Sequence, residues 1–422
     1  MVDKKIFRVK NFRVFKKLVF IHLTDGSDLG FEGIIFDDNK DFSLVKQLKI
    51  NSIVKIRGSY QEKNYKKDFV ISSLEILSDG ENNFLIQKKY HTLDFLRQVP
   101  HLRPFTNIFF SVFKIRSCLT MATFKFFDQE NFVNVSTPIF TTNDAEGAGD
   151  TFSLDPEFFN KQSFLTVSGQ LHLEPFAIVF NKVFCFNPAF RSEKSNTQRH
   201  LAEFWMLEIE KNFSSKEEML LNVEKYLDFV AREVLKNCQN ELKIIEKIKN
   251  IDLINKIEQL KNIKILKVSY LEVLNKLQQL QSEQKIFLDK NFAWGFDFDT
   301  EVEKYLVKYL YNPLVFIYDY PKEIKPFYMK LNNDQKTVAC FDILLDGIGE
   351  LVGGSERETD LNLLSSKNLP KNLDWYLNLR KQGSFNSAGY GLGFERLVMY
   401  FTGIENIKDV IPFPRSYQNL LF

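Results

Sequence analysis

Two apolar runs of strand length, KVFCFNPAF and EFWMLEIE, stand on either side of a polar loop that carries Arg191, Glu193, Arg199 and His200. The second run itself ends in Glu208 and Glu210. Runs of this kind bounded by a loop read as strands of a hairpin. A hairpin whose strands are buried cannot leave guanidinium and carboxylate groups unpaired, because a desolvated charge is costly without a partner. The charges must therefore meet each other, water or a ligand.

The rest of the chain supplies a setting for that hairpin. Residues 1–80 read as short strands: KLVFIHLTDGSDLGFEGIIFD runs through a turn at Asp25-Gly26-Ser27, and SIVKIRGSY and DFVISSLEIL follow, with a helix expected in DDNKDFSLVKQLK. Five or so strands and one helix in that length predict a small barrel of oligonucleotide-binding (OB) type. Residues 81–106, polar and with prolines, read as a linker or hinge. From 107 a long helix is expected, then a strand in FVNVSTPIF that Pro138 interrupts or places at an edge, and another strand in SFLTVSG. Ser215 and Glu218 make a capping-box pair at the head of a helix through 237. Residues 240–290, rich in Lys, Ile, Asn, Gln and Leu, read as helical and peripheral, so that a helical insertion spans about 212–290. TVACFDILLDGIGELVGG returns to strands, DWYLNLRKQG to helix, and AGYGLGFERLVMYFTG is a glycine-rich turn into a helix. Strands grouped as hairpins among helices predict an α+β multidomain chain: the OB-type barrel, then residues 107–422 as a domain on an antiparallel sheet flanked by helices.

Composition excludes several classes. Across 422 residues, 56 basic side chains against 54 acidic ones leave a net charge of +2, too small to announce nucleic-acid binding by itself. No apolar run approaches the roughly 18 residues of a membrane span. The N-terminal MVDKKIFRVKNF has no secretory pattern, and four scattered cysteines without a CxxC pair fit a reducing cytosol, so a cytoplasmic protein is expected. Five histidines form no cluster with metal-ligand spacing. The 43 phenylalanines read as compositional bias.

There is no GxxxxGK[ST], and GYGLGFER departs from GxGxxG at Phe394. A nucleotide would have to be held by arginine forks, by magnesium-binding carboxylates and by close backbone approach. Three polar islands offer these. In the first, Arg191 and Glu193 face one way on an extended chain and Phe204 presents a ring to a base. In the second, FDILLDGIGELVGGSER, Asp342 and Glu350 suit Mg²⁺ and Arg357 is another fork. In the third, GYGLGFERL, alternate glycines precede Arg396. Taken singly, the islands fit a surface salt bridge, a solvated turn or tight helix–sheet packing equally well.

Together and in this order, after an OB-like start, they resemble the class II aminoacyl-tRNA synthetases of the aspartyl/asparaginyl/lysyl subgroup. The stretch NPAFRSEKSNTQRHLAEFWMLEIE is similar to motif 2 of that class, GYGLGFERLVMYFTG to motif 3, and FFDQENFVNVSTPIFTTNDAEGAGDTF to motif 1, which in the family makes a homodimer interface. TVSGQLHLEPF, GIGELVGGSERE and IKDVIPFPR resemble the asparaginyl family within the subgroup. The resemblance implies ATP-dependent formation of asparaginyl-adenylate and pyrophosphate, then transfer to tRNA(Asn). It implies that Arg191 bridges the α-phosphate and the substrate carboxylate, Glu193 reads the adenine amino group and Phe204 stacks on the ring. Arg199 and His200 would reach the outer phosphates or the tRNA end, and Arg396 the γ-phosphate. Asp342 and Glu350 would hold Mg²⁺. Ser168 and Gln170 would sit by the asparagine α-amino group, with Glu208 and Arg357 reading its side chain.

An amide has an acceptor oxygen and a donor NH₂, which complement Arg357 and Glu208. Aspartyl enzymes resemble this chain but carry a lysine where Leu173 stands, so the cation that a substrate carboxylate needs is missing. A site built to hydrogen-bond one group can discriminate by up to about 10⁴–10⁵. The departures are few. Asp342 and Glu350 stand one residue further apart than in aspartyl relatives, and Gly353 replaces a serine near the metal. Phe20 matches the ring that stacks on an anticodon base; Glu32 replaces the family's glutamine, and Phe105 an arginine. The competing readings are an aspartyl enzyme, a non-catalytic tRNA-binding paralogue and a tRNA-independent asparagine synthetase.

Overall fold

Strict alternation along Leu18–Thr24 buries Val19, Ile21 and Leu23 completely and leaves the residues between them half-buried, the pattern of a strand with one face on a core. In the computed structural model, which describes residues 2–63, 66–81, 83–87, 89, 91–143, 151–367, 369–383 and 385–422, this strand belongs to a closed five-stranded barrel. Its strands are β1 (Val2–Val14), β2 (Leu18–Thr24), β3 (Phe31–Phe36), β4 (Ile53–Lys63) and β5 (Lys66–Ser78). The order is β1-β2-β3-β5-β4 with β4 closing onto β1, and only the β3–β5 pair is parallel. This is the OB-type barrel. Phe7, Val9, Ile35, Val54, Ile56, Phe69 and Ile71 fill it along with the β2 side chains. The helix expected between β3 and β4 is a short 3₁₀ segment, Phe42–Gln47.

The chain divides into two compact units, 1–110 and 111–422. Residues 81–110 thus cluster with the barrel instead of standing apart as a linker. They hold a helix, Leu93–Gln98, capped by the Thr92 side chain, and Phe84, Ile86, Leu96 and Arg103 are buried.

The second unit is built on an eight-stranded sheet. Its strands are β6 (Val133–Asn134), β9 (Lys182–Phe190), β10 (Glu203–Asn212), β11 (Leu266–Ser269), β12 (Leu314–Tyr318), β13 (Cys340–Leu345), β14 (Gly349–Glu356) and β15 (Ser387–Gly393); β7 (Phe140–Thr141) and β8 (Phe164–Leu165) form a separate pair. The order β11-β12-β13-β14-β15-β10-β9-β6 has an antiparallel centre and a parallel pairing at each edge. The sheet is therefore mixed, with the hairpins expected from sequence at its middle. FVNVSTPIF is not one strand: it splits into β6 and β7, in different sheets, on either side of Pro138. SFLTVSG contributes only the two residues of β8 before a turn at Ser168-Gly169. Residues 144–150 of the motif 1-like stretch lie outside the described residues.

Helices pack on the central strands: Gln170–Phe180 on β9 and β10, Lys216–Asn237 on β14 and β15, Phe394–Thr402 on β10 and β15. The helix Asn107–Gln129 joins them through a Thr123–Tyr226 hydroxyl pair at 2.8 Å and the stacking of Phe127 on Phe184. The segment 240–290 is less peripheral than its composition implies. It contains β11, and the helix Tyr270–Gln284 puts Tyr270, Val273, Leu274 and Leu277 into the main core with Val315, Ile317 and Tyr320.

Leu173, on the helix Gln170–Phe180, is wholly buried with Val135, Ala177, Val183 and Cys185. Its position was expected to face a ligand; it faces this small core. Leu173→Ala is expected to cost about 2–5 kcal/mol and Leu173→Lys at least as much, read as a lower urea midpoint with unchanged slope.

Candidate active site

The period of two along β10 places Phe204, Met206, Glu208 and Glu210 on one face, and pairing with β9 sets Cys185 opposite Glu208 and Phe190 opposite Glu203. Two adjoining cavities open over this face. One, of about 150 Å³, is lined by Arg191, Glu193, Arg199, His200, Phe204, Glu350 and Arg396. The other, of about 650 Å³, is lined by Ser168, Gln170, Glu208, Asp342, Arg357 and, again, Arg191 and Glu350. All the active-site candidates from sequence therefore line one cavity or the other, although they come from residues 168 to 396.

In the smaller cavity the Arg191 guanidinium lies 5.5 Å from the centre of the Phe204 ring. The Ser195 hydroxyl stands 3.2 Å from His200 Nδ1, and His200 Nε2 stands 3.2 Å from Glu193 Oε2. Arg396 donates to the Glu350 carbonyl and lies 3.4 Å from Glu350 Oε2. Its neighbour Glu395 secures that helix end, accepting from Trp205 N at 2.9 Å and from Arg116 Nη2 at 2.7 Å. Burial pushes the Glu395 carboxyl up, and Arg116 opposes it.

Two carboxylates face the wall shared with the larger cavity. Enclosure disfavours ionisation of Glu350, but Arg396, Lys325 and Arg191 outweigh it and hold the group below the usual carboxylate range. Burial raises Asp342, and Lys325, whose Nζ donates to Asp342 Oδ2 at 2.7 Å, only partly offsets this. A Cβ on Gly353 would stand 2.8 Å from Glu350 Oε1 and 3.5 Å from Asp342 Oδ1, so the glycine leaves open the space between them. Two converging carboxylates with that gap fit Mg²⁺, which takes few protein oxygens and completes its shell with water and phosphate. Among the described residues no group of three or more His, Cys, Asp or Glu side chains forms a metal cage.

Glu208, also lining the larger cavity, is buried and accepts three hydrogen bonds, one on Oε1 and two on Oε2. Ser168 Oγ donates to its Oε1, while Gly169 N (2.8 Å) and Cys185 Sγ (3.4 Å) donate to Oε2. Gln170 Nε2 lies 3.3 Å from Glu174 Oε1. Arg357 donates from Nε to Glu210 Oε2 at 3.1 Å, from Nη2 to Glu210 Oε1, and from Nη1 to Ser355 Oγ at 2.6 Å. Glu174 accepts from Tyr376 and Arg380 beside them. Burial pushes the Glu210 carboxyl up to about 7 against the pull of Arg357. Three of the five guanidinium N–H groups of Arg357 are thus committed, leaving one on each Nη.

Sequence reasoning missed Glu210, Lys325 and Glu303. Glu210 carried a signal, since it repeats the period of Glu208. Lys325 and Glu303 lie in segments with no motif. In the barrel, Phe20 is half-buried and Glu32 exposed; Arg13, also missed, lies 5.2 Å over the Phe20 ring and pairs with Glu32.

A family model described as tRNA synthetases class II (D, K and N) matches residues 93–417, which contain every cavity residue named above. The chain belongs to the class II aminoacyl-tRNA synthetases. The synthetase is 41% identical over 418 residues to an asparagine–tRNA ligase of Malacoplasma penetrans (strain HF-2), covering 96% of this chain and 92% of that protein. It is 40% identical over 430 residues to that of Mycoplasma genitalium, covering 98% and 94%. Among solved structures it is similar to asparaginyl-tRNA synthetase from Pyrococcus horikoshii complexed with asparaginyl-adenylate, with a TM-score of 0.89 and 28% identity over 99% of this chain and 95% of that one. No helix among the described residues is long and apolar enough to cross a membrane.

The Arg357–Glu210 fork of the synthetase is buried on both sides, so removing one partner strands the other. Glu210→Ala is expected to lower stability by about 3–5 kcal/mol, measured by chemical denaturation.

Proposed function

We propose that this synthetase is an asparagine–tRNA ligase: it activates asparagine with ATP, releases pyrophosphate, and transfers the asparaginyl group to tRNA(Asn). The observation that carries this reading is the paired chemistry at the end of the larger cavity. Glu208 presents the remaining lone pair of its Oε1 to an amide NH₂, and Arg357 presents its remaining N–H groups to the amide oxygen. A substrate carboxylate would set a second negative charge against Glu208. The named relatives agree with the reading.

In the first step a carboxylate oxygen of asparagine bonds to the α-phosphorus as the bond from that phosphorus to the bridging oxygen breaks and pyrophosphate leaves. No side chain needs to move a proton. The chain's contribution is to bring the anions together and stabilise the charge between them. Arg191, on the wall common to both cavities, is assigned to the α-phosphate and the substrate carboxylate. Phe204 takes the adenine ring and Glu193 its amino group. Arg199, His200 and Arg396 take the outer phosphates. Ser168 and Gln170 take the α-amino end. Asp342 and Glu350 would hold Mg²⁺, which when bound supplies positive charge to the phosphates. In the second step a hydroxyl of the terminal tRNA ribose attacks the activated carbonyl and AMP leaves.

The barrel is assigned to the anticodon, with Phe20 stacking on a base and Glu32, held by Arg13, at its edge. We assign the second unit to catalysis and the motif 1 region to a homodimer, working in the cytoplasm.

ATP–pyrophosphate exchange with asparagine and aspartate in parallel tests the specificity. Exchange with asparagine, followed by charging of tRNA(Asn), is expected; exchange with aspartate alone would sink the reading. Arg191→Ala is expected to lower exchange by at least about 10²–10³-fold while the protein stays folded, and substantial residual exchange would refute the role given to Arg191.

A further inference from the structure

Glu303 lies on the short helix Thr300–Tyr305, in a segment without any of the family motifs, and its carboxylate reaches the boundary between the two cavities. One oxygen, Oε2, serves two elements at once. It accepts from the backbone N–H of Glu350 at 3.2 Å and lies 3.7 Å from Arg199 Nη2. The Arg199 guanidinium also donates to the Ile348 carbonyl. The loop between β9 and β10 is thereby tied to the first residues of β14. Both side chains are largely buried, Arg199 at 13% exposure and Glu303 at 15%.

Two further features depend on this contact. Gly349 has φ +83°, and a Cβ there would stand 2.5 Å from Glu303 Oε2 and 2.7 Å from Arg199 Nη2. The glycine leaves the space that the pair occupies. Arg199 also stands close to a like charge: burial and Arg396 both disfavour its protonated form, and Glu303 and Glu350 oppose them. Without Glu303 two guanidiniums would face each other across the cavity with Glu350 as their shared counter-charge. The loop arginine would then gain by turning out to water.

We propose that Glu303 is a positioning residue for the nucleotide: it holds Arg199 inside the cavity, so that the guanidinium is in place for the outer phosphates before ATP arrives. This rests on the role given to Arg199 above. A side chain already held in its binding position loses less conformational freedom on binding, and that difference appears as affinity.

The test is calorimetric titration of the full-length protein with ATP and, separately, with AMP, which lacks the outer phosphates. Glu303→Ala is expected to weaken ATP about tenfold, the factor of one charge-assisted contact, and to leave AMP unchanged. Glu303→Gln keeps an acceptor for the Glu350 N–H without the charge, and carries the same expectation should the alanine variant not fold. Arg199→Ala is expected to weaken ATP likewise, and the Arg199→Ala/Glu303→Ala double variant to bind ATP no worse than Arg199→Ala alone, because Glu303 acts through Arg199. Unchanged or tighter ATP binding in the Glu303 variants, an equal loss for AMP, or additive losses in the double variant would each overturn the inference. Unchanged ATP affinity in Arg199→Ala would remove the role of Arg199 and this inference together.

Discussion

The register between β10 and β15 is the constraint on which the site depends. Met206, Glu208 and Glu210 stand opposite Gly393, Gly391 and Gly389. A Cβ at Gly389 would lie 2.4 Å from Glu210 Oε1. The Glu210 side chain can lie across the sheet only because the neighbouring strand carries no side chain where it passes. Shifting the register by one residue would turn Met206, Glu208 and Glu210 to the opposite face. With that register in place, Glu210 meets Arg357 and Glu208 meets Ser168 and the Gly169 N–H.

Several charges above the sheet have a counter-charge. Arg357 leans on Glu210, Arg396 on Glu350, Lys325 on Asp342 and Arg199 on Glu303. The hairpin's charges find partners of three kinds: Glu210 and Arg199 pair with charges from distant segments, Glu193 meets His200 of its own loop, and Glu208 is held by neutral donors. The differences among them follow from location. Arg357 and Glu210 are almost wholly buried, so their pairing bears on stability, while Arg357 also lines the larger cavity. Glu350 and Asp342 face the cavity and are pushed in opposite directions, Glu350 down by three cations and Asp342 up by burial.

Much of this was legible in the chain. The run of about five short strands in the first 80 residues pointed to the barrel, and the hairpin-like grouping to the antiparallel centre of the larger sheet. The polar islands held many of the residues that line the two cavities, because charges that interrupt apolar runs stand out against them, but not Lys325 or Glu303. Edge pairings were not legible. β11 is four residues long, LKVS, inside a lysine-rich helical stretch, and its strand conformation comes from pairing with β12. Leu173 was misread for a related reason: one position in a short helix can face the cavity or the core, and only packing against Val135 and Val183 selects the core.

By itself, then, the sequence determined the barrel, the central hairpins and which side chains interrupt the apolar runs, because these follow from local pattern and residue chemistry. Tertiary structure alone decided which charges meet. Glu210 with Arg357 and Arg199 with Glu303 are separated by 147 and 104 positions along the chain, and a pair so distant is made by strand register and helix packing, which no local pattern records.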